Sequence, residues 1–220
     1  MSRKLIIVTR FNCVPQPTAH SLTQKTHLAK YNDKKYLEQR LKVFNAITYP
    51  CLSKLGVPWY VLCHKETELT FPSKVTPIFS DKNGHDIVME NFAKEDVLIN
   101  VDSDDAINEQ GLVLFKKSVE EDPEACHVLT KGIIYSLIEK IGYSYSSIKS
   151  PFYATNRDVF YAYEHSYHPN QKLIEMTSRG WLQIVHDTNI FNKIPSTERR
   201  HKSFGFDIVQ QHFKEIKDYN

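Results

Sequence analysis

The chain has 220 residues, of which 41% are hydrophobic and 25% are charged. This length and composition are typical of a single globular domain that folds without disulfides or a structural metal. The formal net charge is only +2, and no block of lysines and arginines occurs, so we expect no nucleic-acid partner. The apolar run from Leu5 to Val8 is too short for a signal peptide or a membrane span.

The spacing of the cysteines bears on metal chemistry and on the cellular compartment. No two of them form a Cys-x-x-Cys pair, which argues against a zinc site built from paired thiols. We therefore expect free thiols in a reducing, cytoplasmic environment. The cysteines are Cys13, Cys51, Cys63 and Cys126.

Apolar runs and helical periodicity alternate along the first half of the chain. Leu5 to Val8 is typical of a strand buried on both faces, and the polar residues 13–34 predict a loop. Helical spacing over residues 35–48 predicts a helix that Pro50 ends. Further strands are predicted over 59–63, 75–79, 97–101 and 127–130, with a helix through Leu112 and Val119 that closes near Pro123.

The second half is less regular. Residues 133–137 alternate as in a strand, whereas 142–150, rich in tyrosine and serine, predict a loop. Short strands are expected near 152–154 and 181–185, and a helix near 209–216. This alternation of strands and helices predicts one α/β domain with a parallel or mixed sheet and helices on its faces.

Three carboxylates directly follow the strongest predicted strand, residues 97–101. Asp102, Asp104 and Asp105 are expected beyond its carboxyl end, where open α/β sheets bind ligands. Their mutual repulsion favours a divalent cation, and hard oxygen ligands suit Mg²⁺ or Mn²⁺ bridging to a diphosphate. The alternative is an acidic turn that caps the next helix, a role for which Asp105 is the candidate.

Three separated segments carry a resemblance to a known family. They are residues 9–12 (TRFN), 102–107 (DSDDAI) and 181–186 (WLQIVH). In this order they resemble the rhamnosyltransferase group of DxD glycosyltransferases, and the match extends over about residues 5–192. The chain departs from the group over residues 13–34 and at Asp187, where a glycine is expected.

The resemblance implies a fold and an activity. The fold would be GT-A (Rossmann-like) α/β, with a mixed, mostly parallel sheet flanked by helices. Residues 1–220 would form one domain, in which about 1–130 bind the nucleotide-sugar and about 131–220 the acceptor. The activity would be metal-dependent transfer of a sugar, rhamnose by the name of the family, from a nucleotide-diphosphate-sugar to a glycan or other hydroxyl acceptor.

The resemblance also implies roles for individual residues. Asp104 would be the main ligand of Mn²⁺ or Mg²⁺, Asp102 would contact the metal or the ribose, and His186 would be a second protein ligand. From the residues alone, an ordinary hydrogen-bonded histidine remains open for His186. Contacts to the nucleotide are implied for Thr9, Arg10, Asn12, Asp102 and Ser103.

Inverting transfer needs a base that takes the proton of the acceptor hydroxyl. Asp158 and Glu164 are the candidates because they lie between the acidic cluster and His186 in the sequence. For each of them a surface carboxylate is the alternative, and Asp158 would also suit a helix cap. The charged residues 198–202 would form a lid over the diphosphate, or else a solvated loop.

Other functions share some of these features. A nucleotidyltransferase would show a glycine-rich loop after the first strand, but no glycine precedes Gly56. A phosphohydrolase would place an aspartate where Thr9 and Arg10 stand. A non-catalytic carbohydrate-binding module would use the aromatic side chains between Tyr143 and Tyr167 for stacking.

Overall fold

A computed structural model describes residues 3–14, 33–160, 170–186 and 203–217. The strands are β1 (Leu5–Arg10), β2 (Trp59–His64), β3 (Thr76–Ser80), β4 (Val97–Asn100), β5 (Ala106–Ile107), β6 (Cys126–Leu129), β7 (Lys131–Ser136), β8 (Ile141–Ser146), β9 (Tyr153–Asn156), β10 (Gln171–Ile174) and β11 (Trp181–Val185). The helices are α1 (Lys34–Val43), α2 (Tyr49–Leu52), α3 (Gly84–Asn91), α4 (Glu109–Glu121) and α5 (Phe206–His212), and a π-helical segment, Phe44–Thr48, joins α1 to α2.

The larger sheet has seven strands in the order β10-β6-β9-β4-β1-β2-β3. Strands β3, β2, β1 and β4 are parallel to one another, and β9 runs antiparallel to both β4 and β6. Strands β1 and β4 are central and almost wholly buried, as expected for apolar runs covered on both faces. The prediction of a mixed, mostly parallel sheet flanked by helices is confirmed.

A second sheet has four strands in the order β5-β11-β7-β8. Strand β11 runs parallel to β7 on one flank and antiparallel to the two residues of β5 on the other. Strand β5 comes from the first half of the chain, whereas β9 and β10 of the larger sheet come from the second half. The two halves of the chain therefore interleave in both sheets.

Two local expectations were wrong. Residues 142–150 were expected to be a loop, but Ile141–Ser146 forms β8, which pairs with β7 through Ile134 and Tyr143. Tyr143 is buried, and its contact with the core outweighs the turn-forming tendency of the neighbouring serines. The second error concerns Pro50.

Pro50 does not end the helix that begins at Lys34. It lies in the first turn of α2, which continues directly from the π-helical segment. A proline at this position leaves the carbonyl of Ala46 without its i→i+4 donor. The backbone N–H of Lys217 donates to that carbonyl at 3.1 Å. A distant segment thus satisfies the group that the proline leaves free.

All four cysteines are buried and free. Burial raises the pKa of the Cys126 thiol to about 12, so this thiol stays protonated and unreactive near neutral pH. Within the described ranges, no helix has both the length and the apolar character needed to cross a membrane.

Trp181 joins the two sheets. Its ring is fully buried and stacks on Phe152 at a centroid distance of 4.8 Å, and its Nε1 donates to the Leu129 carbonyl at 3.0 Å. Gly132 of β7 lies directly against this ring. A β-carbon at Gly132 would lie 2.0 Å from Trp181 Cδ2 and 2.4 Å from the Trp181 carbonyl oxygen.

We predict that Gly132→Ala destabilises the protein, because the added methyl group meets both the ring and the backbone of Trp181. Overpacking of this kind costs about 1–3 kcal/mol, and the melting temperature in thermal unfolding should fall by several degrees. Val113→Ala, on the exposed face of α4, is the control and should leave the melting temperature almost unchanged. An unchanged melting temperature for Gly132→Ala would contradict the packing described.

A second prediction concerns His127 in β6, whose ring is fully buried. Its Nε2 lies 2.8 Å from the Asp122 carbonyl oxygen, and its Nδ1 lies 2.8 Å from Ser118 Oγ. Because a carbonyl only accepts, Nε2 carries the proton and the Ser118 hydroxyl donates to Nδ1. The neutral ring is thus hydrogen-bonded at both nitrogens.

Burial lowers the pKa of His127 below its ordinary value of 6.5, so the folded state binds this proton less readily than the unfolded chain. Its contribution to stability should be complete above pH 6.5 and should be lost as the pH falls below that value. Urea unfolding between about pH 7.5 and 5.5 measures how the free energy of unfolding changes with pH. In His127→Gln the free energy of unfolding should fall less steeply as the pH is lowered. Parallel plots of this free energy against pH for the two proteins would contradict the prediction.

Candidate active site

Three strand ends converge at one edge of the larger sheet. Strands β1 and β4 are parallel, with Val8 opposite Asn100, so Arg10 and the loop after β4 emerge side by side. Strand β11 lies antiparallel to β5, with Leu182 opposite Ala106. This register brings the end of β11 beside the acidic loop 102–105.

Asp104 and His186 meet at this edge. The Nε2 atom of His186 lies 3.0 Å from Oδ2 of Asp104. Asp104 is 2% exposed and His186 is 6% exposed. The structure therefore brings together two of the three residues predicted as metal ligands, although they are 82 positions apart in the sequence.

Arg40 of α1 lies behind the acidic loop. Its Nε donates to Ser103 Oγ at 2.6 Å, and its Nη2 lies 3.7 Å from Asp104 Oδ1. Its Nη1 donates to the hydroxyl of Tyr36 at 3.0 Å. Sequence reasoning missed Arg40 because it considered only the apolar positions of this helix. A charged residue on the same helical stripe as Leu37 and Phe44 was the available signal.

Arg10 pairs with the first carboxylate of the loop. Its Nη2 lies 3.2 Å from Oδ1 of Asp102, and both side chains are partly exposed at the edge. Arg10 and Arg40 thus each face one carboxylate of the loop. Their positive charges offset the repulsion among the three aspartates.

Asp105 is not a helix cap, contrary to the alternative considered for it. The cap of α4 is Asn108, whose side chain accepts from the Gly111 N–H at 3.0 Å. Asp105 is fully buried, and its Oδ1 accepts from the Ile184 N–H of β11 at 2.9 Å. Burial, and then the charges of Asp104 and Asp102, raise the pKa of the Asp105 carboxyl well above its usual range.

Thr9, Asn12 and Ser103, all predicted to contact the nucleotide, have buried side chains engaged with the protein. Thr9 Oγ1 accepts from Trp59 Nε1 at 2.9 Å, and Ser103 Oγ accepts from Arg40. Asn12 Oδ1 accepts from the His64 N–H at 3.1 Å. These contacts shape the loops at the edge, and the nucleotide contacts of the three residues stay predictions.

Asp158, a predicted candidate for the catalytic base, lies at the opposite edge of the sheet from the acidic loop. Strand β9 runs antiparallel to β4 and pairs Asn156 with Val97, so Asp158 follows the amino end of β4. Asp102 follows the carboxyl end, roughly 15 Å away at the usual rise per residue. Asp158 is half exposed and pairs with Arg157 at 3.4 Å, as expected for a surface carboxylate.

Several predicted residues lie outside the described residues. Glu164, the other candidate base, is one of them. The position of Asp187 and the charged segment 198–202 are also not described. Their proposed roles stay predictions.

The donor atoms at the edge suit a divalent cation in part. A carboxylate oxygen and an imidazole nitrogen are acceptable ligands for Mn²⁺, and Asp104 and His186 present them side by side. Within the described ranges, no group of three or more histidine, cysteine, aspartate or glutamate side chains is placed to hold an ion. Asp104 and His186 are therefore two candidate ligands in the described part of the chain, fewer than a divalent cation takes.

Comparisons with known proteins find only distant likenesses. No family model matches the chain, and no curated protein matches it. S. aureus TarS 1–349 in complex with UDP matches 84% of this chain and 61% of its own, at 10% identity and a TM-score of 0.48. Its complex with UDP-GlcNAc matches 86% and 60%, at 10% identity and a TM-score of 0.43.

A CMP:2-keto-3-deoxy-manno-octonic acid synthetase complexed with CTP matches 72% of this chain and 76% of its own, at 14% identity and a TM-score of 0.36. The chain spans about 60% of the length of the TarS 1–349 structures. Likenesses this distant carry no argument about fold family or function. The case for a function therefore depends on the arrangement of the site.

We predict that Arg40 and Asp104 are energetically coupled. Arg40→Met removes the buried positive charge beside Asp104 and should destabilise the protein by about 1–3 kcal/mol. The double variant Arg40→Met/Asp104→Asn should recover part of this loss, because a neutral amide then replaces the carboxylate that has lost its cation. Urea unfolding of the wild type, both single variants and the double variant measures the coupling. Strictly additive effects would contradict it.

Proposed function

We propose that this chain is a metal-dependent glycosyltransferase of the GT-A type. It would transfer a sugar from a nucleotide-diphosphate-sugar to a glycan or other hydroxyl acceptor. The observation that carries the proposal is the buried contact between Asp104 and His186 at the carboxyl edge of the parallel strands. Ligands of open α/β sheets bind at this edge.

Asp104 and His186 are the residues that would hold Mn²⁺ or Mg²⁺. When bound, such an ion would neutralise charge on the diphosphate as it leaves the sugar. Oxygens of the donor and water would complete the coordination. Both residues are almost fully buried, so their side chains are already ordered before a ligand binds.

The arginines and Asp102 have separate roles in binding the donor. Asp102 and Arg10 are partly exposed at the sheet edge, so they are the pair that meets the ribose and the diphosphate. Arg40 is more deeply buried and faces the Asp104 oxygen that His186 does not contact. It therefore orients Asp104 from behind the loop.

The acceptor side has fewer assigned residues. Asp158 lies beyond the amino end of β4, away from the acidic loop, so this geometry lends no support to its predicted role as the base. Glu164 stays a prediction, as does rhamnose as the transferred sugar, which follows from the family resemblance alone.

Calorimetry with a panel of nucleotide-sugars, including a rhamnosyl donor, tests the proposal with and without Mn²⁺. Wild-type protein should bind its donor with Mn²⁺ and at least about tenfold more weakly without it, a difference of about 1.4 kcal/mol. Asp104→Asn should lose the ion-dependent part of the binding. Asp158→Asn, a matched change at the opposite edge, should bind like the wild type.

Equal donor binding with and without Mn²⁺ would refute the metal role. The reaction products separate the rival functions. Release of a nucleoside diphosphate from a nucleotide-sugar supports glycosyl transfer, whereas release of pyrophosphate from a nucleoside triphosphate would indicate a nucleotidyltransferase. Binding of free sugars without nucleotide or turnover would indicate a carbohydrate-binding module.

A further inference from the structure

The strand that carries the chain to His186 is only briefly supported on one flank. Strand β5 pairs with β11 at two positions, Ile107 with Trp181 and Ala106 with Leu182. If this antiparallel register continued, position 104 would lie opposite Ile184. The chain turns away instead, and the Asp105 N–H donates to the Asp102 carbonyl at 3.1 Å.

A side chain supplies the next rung of this ladder. In a continued strand pair, the Ile184 N–H would donate to a main-chain carbonyl. Here it donates to Oδ1 of Asp105 at 2.9 Å. Ile184 and Asp105 are both fully buried, so bulk water cannot reach the Ile184 N–H and replace this acceptor. An unsatisfied N–H in such a place is costly, and the rung is therefore strongly favoured.

The rung lies two residues before His186. On the other flank, β7 accompanies β11 as far as the pair of Ser136 and Val185. With both flanks held, the main chain reaches His186 along a defined path, and the imidazole arrives 3.0 Å from the Asp104 carboxylate. Asp104 and Asp105 thus make neighbouring contacts with the same strand end, one to a ring and one to the backbone.

We propose that Asp105 is a positioning residue, whose side-chain oxygen holds the end of β11 so that His186 meets Asp104. The consequence for the ion and the donor rests on the proposed function, whereas the positioning itself does not. The role needs one acceptor oxygen at this place and no negative charge. Asparagine therefore fulfils it, and leucine and alanine do not.

Amide hydrogen exchange of the ligand-free protein tests the positioning directly. In Asp105→Leu the Ile184 amide should exchange at least about tenfold faster than in the wild type, because its acceptor is gone. Asp105→Asn should keep the exchange near the wild-type rate. Asp105→Ala gives the same comparison if the leucine variant does not fold.

Calorimetry with Mn²⁺ and the nucleotide-sugar tests the consequence for the site. Asp105→Leu should weaken ion-dependent donor binding by about tenfold or more, and Asp105→Asn should restore it to within about threefold of the wild type. Ile87→Val, in the core on the other face of the sheet, is the control for a general loss of stability. It should leave donor binding unchanged.

Two results would overturn the proposal. One is an Ile184 amide that remains as protected in Asp105→Leu and Asp105→Ala as in the wild type. The other is donor binding that Asp105→Asn impairs as severely as Asp105→Leu, since the charge and not the acceptor would then matter. If the wild type binds no nucleotide-sugar, the proposed function fails, and the exchange experiment alone decides the positioning.

Discussion

The contact between Asp104 and His186 is the constraint on which the rest of the site depends. Neither residue is held by its sequence neighbours alone. Asp104 is placed by the end of β4, and His186 by the end of β11, a strand of the other sheet. Trp181, stacked on Phe152 and closed in by Gly132, fixes where β11 begins. The core of the molecule thereby sets a distance between two polar side chains at its edge.

Placing three carboxylates in one loop, two of them buried, has an electrostatic cost, and the surrounding structure reduces it. Arg10 faces Asp102, Arg40 faces Asp104, and Asp105 accepts a backbone N–H while its pKa is raised. The helix that carries Arg40 continues into the π-helical segment, where the Thr48 hydroxyl donates to the Ser103 carbonyl at 3.0 Å. These contacts hold the loop in one conformation before any ligand binds.

The expectations that failed share one cause, which is that they depended on partners far away in the chain. Pro50 was expected to end a helix, but the Lys217 N–H satisfies the carbonyl that the proline leaves free. Strands β5 and β10 are too short to show a pattern of their own and form by pairing with β11 and β6. Asp158 was considered for catalysis from its order in the sequence, which does not reveal that β9 runs against β4.

The sequence by itself determined the long apolar strands, the α/β class and the place of the acidic loop after β4, because burial of both faces of a strand leaves a continuous hydrophobic run. The family resemblance singled out Asp104 and His186 together. Only the tertiary structure decided that Arg40 joins them, that Asp105 holds β11, and that Asp158 lies elsewhere. Strand direction and register set these distances, and both arise from pairing between segments that no local pattern connects.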